Sequence, residues 1–183
     1  LLLIDAGAEF DYYTADITRT WPANGHFSSF QKEIYQIVLK AQKNSINIIK
    51  PGIPLTLVHE TALKILVEGL IDLKLLDGSR DYIIENRKYL DYFMHGTSHW
   101  LGIDVHDVGN YKQQGENTIL RPGMIFTVEP GIYIGQQISS VPEKYKNIGI
   151  RIEDDLLVTQ SGHEILSKKI PKEITEIEEI IND

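Results

Sequence analysis

An α+β fold with a largely antiparallel sheet is predicted by three observations on these 183 residues. Strand-like and helix-like stretches come in blocks rather than in strict alternation. The later strand-like runs are short and punctuated by glycine. Between the two groups of strands, two stretches repeat apolar residues at helical spacing. The composition, 42% hydrophobic and 24% charged, is that of an ordinary globular domain with enough residues for one sizeable core.

The elements follow in order. "LLLIDAG" and "YTADITRTW", at either side of "EFDY", are apolar or β-branched runs that read as two antiparallel strands about a turn. "SSFQ" offers a capping box from Ser28 to Gln31 and opens a helix that carries Ile34, Val38 and Ala41 and stops at Pro51-Gly52. A second helix starts at Thr56, runs through Ala62, Ile65 and Val67, and ends at "LDGS". From residue 92 onward "YFMHG", "GMIFTVEPGIYI" and "IGIRIEDDLLVT" read as strands. The tail "PKEITEIEEIIND" spaces Ile174, Ile177 and Ile181 as the apolar stripe of a closing helix. No short repeat, low-complexity tract or internal linker interrupts this order.

Composition also excludes. A formal net charge of −8 argues against nucleic acid as the main partner, because phosphate binding needs surplus Lys and Arg. With no cysteine there is no disulfide, no thiolate metal site and no thiol nucleophile. No apolar run approaches the roughly 18 residues that cross a bilayer. "LLLIDAG" is too short for a signal peptide and lacks its basic flank. The expectation is therefore no membrane partner, with the cytoplasm as default compartment.

Several acidic and imidazole groups stand where they need partners. A turn centred between Phe10 and Asp11 sets Asp5 opposite Asp16 on one face of the hairpin. Opposed like charges destabilise a sheet, and Asp is a poor strand residue. Either Asp alone reads most simply as flanking a turn, but the pairing makes a cation between them an equally good reading. "HGTSHWLGIDVHDVG", residues 95–109, places three of six histidines among Trp100, Leu101, Ile103 and Val105, which seek burial. His95 and His106, taken separately, read as readily as structural histidines. His99, between Ser98 and bulky Trp100, is the better ligand candidate. Glu129 ends an apolar strand beginning at Met124, where an unpaired carboxylate costs several kcal/mol. Arg151 and Glu153 share one strand face while Ile150 and Ile152 take the other, a pattern that by itself reads as a surface ion-pair ladder.

Asp5, Asp16, His99, Glu129 and Glu153 together make four carboxylates and one imidazole. Such a set suits Mn(II), Co(II), Fe(II) or Zn(II) rather than a closed structural zinc. Four negative charges match two divalent cations, so charge balance favours a dinuclear centre about 3.5–4 Å across.

These stretches closely resemble the metallopeptidases of the pita-bread fold, the group that holds methionine aminopeptidase, prolidase and aminopeptidase P. The likeness rests on "DAGAEFDYYTADITRTWP", "HGTSHWLGIDVHDVG", "TVEPGIYI" and "GIRIEDD" and extends in the family's order over almost the whole chain. "TRTWP" and "SHWLGIDVHDVG" are most like aminopeptidase P. The resemblance implies that Asp5 chelates one metal, Asp16 and Glu153 bridge both, His99 binds the other and Glu129 completes it. It implies that His95 and His106 line the substrate cleft and that Arg151 stands behind the ligands. The implied reaction is metal-assisted release of the N-terminal residue from peptides with proline in second position. Glu129 would move the proton of the attacking water, and His106 would donate to the developing oxyanion. The rival readings are a prolidase acting on Xaa-Pro dipeptides, a metal-free hydrolase of non-peptide amidines, and a non-catalytic binding module of the same fold. Intact ligands speak against the last two. The chain lacks an initiator Met and opens within a strand. The resemblance therefore implies that residues 1–183 are a catalytic domain truncated at its N-terminus, from a full-length protein expected to be a homo-oligomer.

Overall fold

The computed structural model describes residues 1–183, the side chain of Gln113 excepted. Strand β1 (Leu2–Ala6) pairs antiparallel with β4 (Ile17–Trp21), and the short strands β2 (Glu9–Phe10) and β3 (Tyr13–Thr14) carry the hairpin to its tip. The turn falls on Asp11 and Tyr12, whose φ values of 49° and 66° are those of a two-residue turn that matches strand twist. It lies one residue beyond the expected centre. Asp5 consequently faces Thr18 and not Asp16, which corrects the pairing read from the sequence. Because side chains alternate with a period of two, this slip of two positions keeps both aspartates on one side of the hairpin.

Helix α1 (Ser29–Asn47) is opened by the capping box, with Gln31 N–H donating to Ser28 Oγ and Ser28 N–H to the Gln31 side chain. Its stripe of Ile34, Val38 and Ala41 is fully buried against helix α2 (Thr56–Asp72), whose Ala62 and Val67 are buried in turn. A short helix α3 (Arg80–Glu85), capped by Ser79, follows. Its six residues are too few for periodicity to reveal.

The second half holds a small hairpin, β5 (Lys112–Gln113) with β6 (Glu116–Asn117), and then the strands that matter for the site. β7 (Ile125–Val128), β10 (Asp154–Val158) and β11 (His163–Ile165) form an antiparallel three-stranded sheet in the order β11-β10-β7, while β8 (Gly131–Ile134) pairs with β9 (Ile148–Arg151). Each long apolar run is thus broken in two, at Glu129-Pro130 and at Ile152-Glu153. "YFMHG" is not a strand. Tyr92 and Phe93 are buried at the end of a turn of 3-10 helix, with Tyr92 Oη donating to the Leu75 carbonyl, so their apolar character serves a loop anchor. Trp100 and Leu101 are buried as expected, but Ile103 and Val105 are 71% and 42% exposed, because the chain leaves β7 after Leu101 and bends outward.

Helix α4 (Ile174–Asn182) docks Ile177 into the larger core, among α1, α2, β8 and β9. A second cluster joins Trp100, Phe126, Val128 and Leu156 to the start of α2. Each fully buried Ile or Leu in these clusters contributes about 1.5–3 kcal/mol. Together they hold the strand ends rigid. Among the described residues no helix is long and apolar enough to cross a membrane.

Candidate metal centre

The site is built where strands stop. Residues 97–101 run beside β7 with the alternate bonds of an antiparallel edge: Glu129 N–H donates to the Thr97 carbonyl at 2.8 Å, Thr127 N–H to His99 at 3.0 Å, and Leu101 N–H to Ile125 at 3.3 Å. This ladder sets His99 against β7, while Pro130 ends the strand just after Glu129. Asp16 lies between β3 and β4, and Glu153 lies between β9 and β10. At such breaks a side chain can leave the pleat and turn toward a common point.

All eight residues singled out in the sequence line one cleft of about 500 Å³: Asp5, Asp16, His95, His99, His106, Glu129, Arg151 and Glu153. Ligand-type atoms of Asp5, Asp16 and Glu153 lie within 4.8 Å of one another, as do those of His99, Glu129 and Glu153 and those of Asp16, His99 and His106. His99 Nδ1 is 3.1 Å from the Trp100 carbonyl, which can only accept, so Nδ1 carries the proton and Nε2 faces the carboxylates. From Nε2 the distances are 3.1 Å to Asp16, 3.5 Å to Glu129 and 3.9 Å to Glu153.

So many carboxylates in one cleft, Glu153 and Asp16 buried and Asp5 at its exposed edge, disturb each other's protonation. Burial, reinforced by the charges of Asp16 and Asp5, lifts Glu129 to about 7. Burial, then the negative charge of Glu129, lifts Glu153 to about 8, although a hydrogen bond from Thr18 works the other way. Asp5 is also raised, by burial and by Asp16, whereas for Asp16 burial pushes upward but the hydrogen bonds from His99 and Asp5 and the charge of His99 together bring it below its ordinary value. Burial alone would lower His99, but Asp16, the Trp100 carbonyl and Glu129 overcome it and hold the imidazole at about 9. The imidazolium, with the Arg151 guanidinium at Asp5, does not satisfy every carboxylate oxygen of the cluster. Glu153 Oε1 is buried without a hydrogen-bond partner among the described residues. An orphaned carboxylate oxygen aimed into such a cluster fits a cation as its partner.

Arg151 ties the front of the cluster together. It donates to Asp5 Oδ2 at 2.6 Å, to Thr18 Oγ1 at 2.9 Å and to the Tyr133 hydroxyl at 3.3 Å. Far from a surface ladder, it is half buried and spent on the cleft. His95 gives its Nδ1 proton to the Gly96 carbonyl and accepts from Tyr133 Oη at 2.7 Å, and burial depresses its pKa, so the ring is neutral. His106 is exposed, with its ring edge-on to His99 at 4.3 Å.

Three contributors went unread in the sequence. Thr18 donates to Glu153 Oε2 at 2.5 Å, Tyr133 holds His95, and Asp155 accepts from Asp16 N–H at 3.2 Å while its other oxygen has no partner among the described residues. Thr18 stands two residues after Asp16, so strand periodicity could have found it. Tyr133, inside apolar "GIYI", carried no such signal.

With this geometry in view, the sequence matches the profile of metallopeptidase family M24 over residues 1–160. The chain belongs to metallopeptidase family M24. It is 52% identical over 182 residues to a Xaa-Pro aminopeptidase of Haemophilus influenzae, covering 100% of this chain and 42% of that protein. The structure of Pseudomonas aeruginosa aminopeptidase PepP superposes with a TM-score of 0.97 at 48% identity over 98% of this chain and 41% of that one. A zinc-substituted Escherichia coli aminopeptidase P in complex with product gives 0.93 at 47% identity, over 98% and 40%. The chain therefore spans about two fifths of the relatives it matches. Its α+β architecture is the pita-bread fold of this M24 group.

Proposed function

We propose that this M24 chain carries the catalytic centre of an aminopeptidase that releases the N-terminal residue from peptides with proline in second position. The observation that supports the reading most is the convergence of four carboxylates and His99 at one cleft, with Glu153 Oε1 left without a partner. Asp5 would hold one divalent ion, Asp16 and Glu153 would bridge two, and His99 with Glu129 would hold the second. Mostly hard oxygen donors favour Mn(II), with Co(II), Zn(II) and Fe(II) as alternatives. When bound, such ions supply Lewis acidity toward the scissile carbonyl and make water a nucleophile near neutral pH.

The chain's own groups do the rest. Glu129, at the end of β7 beside His99, accepts the proton of the attacking water and returns it to the leaving nitrogen. His106, on the open side of His99, donates to the oxygen that gains charge. Tyr133 fixes His95, with Nδ1–H turned away from Tyr133, as the opposite wall. A prolyl nitrogen has no N–H, so a bound Xaa-Pro bond asks for no acceptor there.

The test compares His106→Ala with His99→Ala by metal content and by hydrolysis of two peptides, one with proline and one with alanine in second position. His106→Ala keeps its metal while kcat/KM falls about 10²–10³-fold, as when one oxyanion donor is removed. His99→Ala loses metal and activity together. Preference of the unsubstituted protein for the alanine peptide would overturn the substrate assignment, and metal loss in His106→Ala would overturn that residue's role.

A further inference from the structure

Behind the cluster lies a second group of buried charges that the proposed reaction does not use. Arg19, 3% exposed, spends all its N–H groups: Nε donates to the Pro171 carbonyl at 2.9 Å, Nη1 to the Thr18 carbonyl at 2.9 Å and to the Glu153 carbonyl at 2.5 Å, and Nη2 to Asp154 Oδ1 at 2.8 Å and the Ile170 carbonyl at 2.9 Å. A guanidinium has five such donors in a rigid fork, and here every one is matched. Lys172 and Gln42 complete the acceptor side of Asp154 at Oδ2, and Ser167 shares Oδ1.

Glu153 needs this support. It sits in the break between β9 and β10, where no strand partner fixes the main chain. Its bonds go instead to two consecutive residues of β4. Glu153 N–H donates to the Thr18 carbonyl at 3.1 Å, its carbonyl accepts from Arg19, and its carboxylate accepts from Thr18 Oγ1. The same Nη1 that holds the Glu153 carbonyl also holds the Thr18 carbonyl, so one planar group sets the spacing between the two.

We propose that Arg19 is the positioning residue of this centre: by holding the main-chain carbonyls of Thr18 and Glu153, it sets the Glu153 carboxylate where it can bridge two cations. The inference rests on the metal-centre reading above. Lysine cannot replace it, because an ammonium has three donors on a flexible stem and cannot span both carbonyls while pairing with Asp154.

The experiment measures Mn(II) affinity by calorimetry and the electron paramagnetic resonance spectrum at saturating Mn(II), for Arg19→Lys, Lys172→Gln and the unsubstituted chain. Lys172→Gln loosens the same buried network at Asp154 without touching Thr18 or Glu153. Arg19→Lys is expected to bind Mn(II) about 10–100-fold more weakly, as when an outer partner of a metal ligand is lost, and to show uncoupled ions in place of an exchange-coupled pair. Lys172→Gln keeps the coupled spectrum and an affinity within about threefold of the parent, far from that outer-partner loss. Equal losses in both variants, or unchanged binding and coupling in Arg19→Lys, would overturn the proposal. Where Arg19→Lys fails to fold, Arg19→Gln decides: its amide can reach one of the two carbonyls but not both, so lost coupling supports the role and retained coupling overturns it. Failure of the unsubstituted chain to bind Mn(II) would instead sink the metal centre itself.

Discussion

Glu153 and Asp154 are neighbours in sequence, both acidic and both buried, at 1% and 0% exposure, yet their surroundings are opposite. Asp154 faces away from the cleft into Arg19, Lys172, Gln42 and Ser167, and although burial pushes its pKa up, Arg19 and Lys172 hold it below the usual carboxylate range. Glu153 faces the cleft, meets other carboxylates and is pushed up to about 8. One cluster is closed by the chain's own cations. The other is short of positive charge by design of its side chains. The break between β9 and β10 turns Glu153 into the cleft, while Asp154, the first residue of β10, points away from it, so a single "EDD" stretch builds both a lock and a site.

The largest effect that could break this contrast is on stability. In the metal-free chain Asp154→Asn should cost about 3–5 kcal/mol, because Arg19 and Lys172 would remain buried without their shared counter-charge. Glu153→Gln should cost nothing or stabilise, since it removes a group whose charged form the fold disfavours. Denaturant midpoints of the two variants check this. A Glu153→Gln loss as large as that of Asp154→Asn would erase the distinction.

A smaller effect sharpens it. Glu153 has its folded pKa raised from an ordinary 4.5 to about 8, and Glu129 from 4.5 to about 7, so the metal-free fold keeps protons that the unfolded chain has released. His99, raised from 6.5 to about 9, adds the same sign, because its protonated form is the stabilised one. Stability is therefore lost as pH rises through this range. Of the groups with lowered values, Asp16 and Asp154 contribute stability lost only in acid, below the ordinary 3.8. His59 and His95, lowered from 6.5 by burial, add stability as the pH rises past 6.5 and offset the trend only at its start. The Tm of the metal-free protein should fall between pH 6 and 9 by roughly 4 °C or more, given about 2–4 °C per kcal/mol in a domain of this size. With Mn(II) bound the slope should flatten or reverse, since binding requires deprotonated ligands. A metal-free Tm that rises over that interval would contradict the assigned shifts.

Most of the site was legible because its chemistry conflicts with its local surroundings. Glu129 at the end of an apolar strand, and an Asp in each strand of the first hairpin, signal partners that the sequence does not name. The helices were legible through capping and period. What escaped was geometry that depends on a single residue: the hairpin turn at Asp11-Tyr12 moved the register by two, and breaks at Pro130 and Glu153 split runs that read as continuous. Ile103 and Val105 misled because an apolar side chain on an exposed loop looks, in sequence, like one in the core. Arg19, inside "TRTWP", gave no hint of its role, since its partners are main-chain carbonyls that have no signature in side-chain types.

The central claim is that the cleft is completed by two divalent cations bridged through Glu153. Elemental analysis after loading with Mn(II) and removal of excess ion tests it most directly, on the unsubstituted chain beside Glu153→Gln, whose amide cannot bridge as a carboxylate does. The account predicts two ions per chain in the first and at most one in the second; a single ion or none in the unsubstituted chain, or two retained by Glu153→Gln, would contradict it.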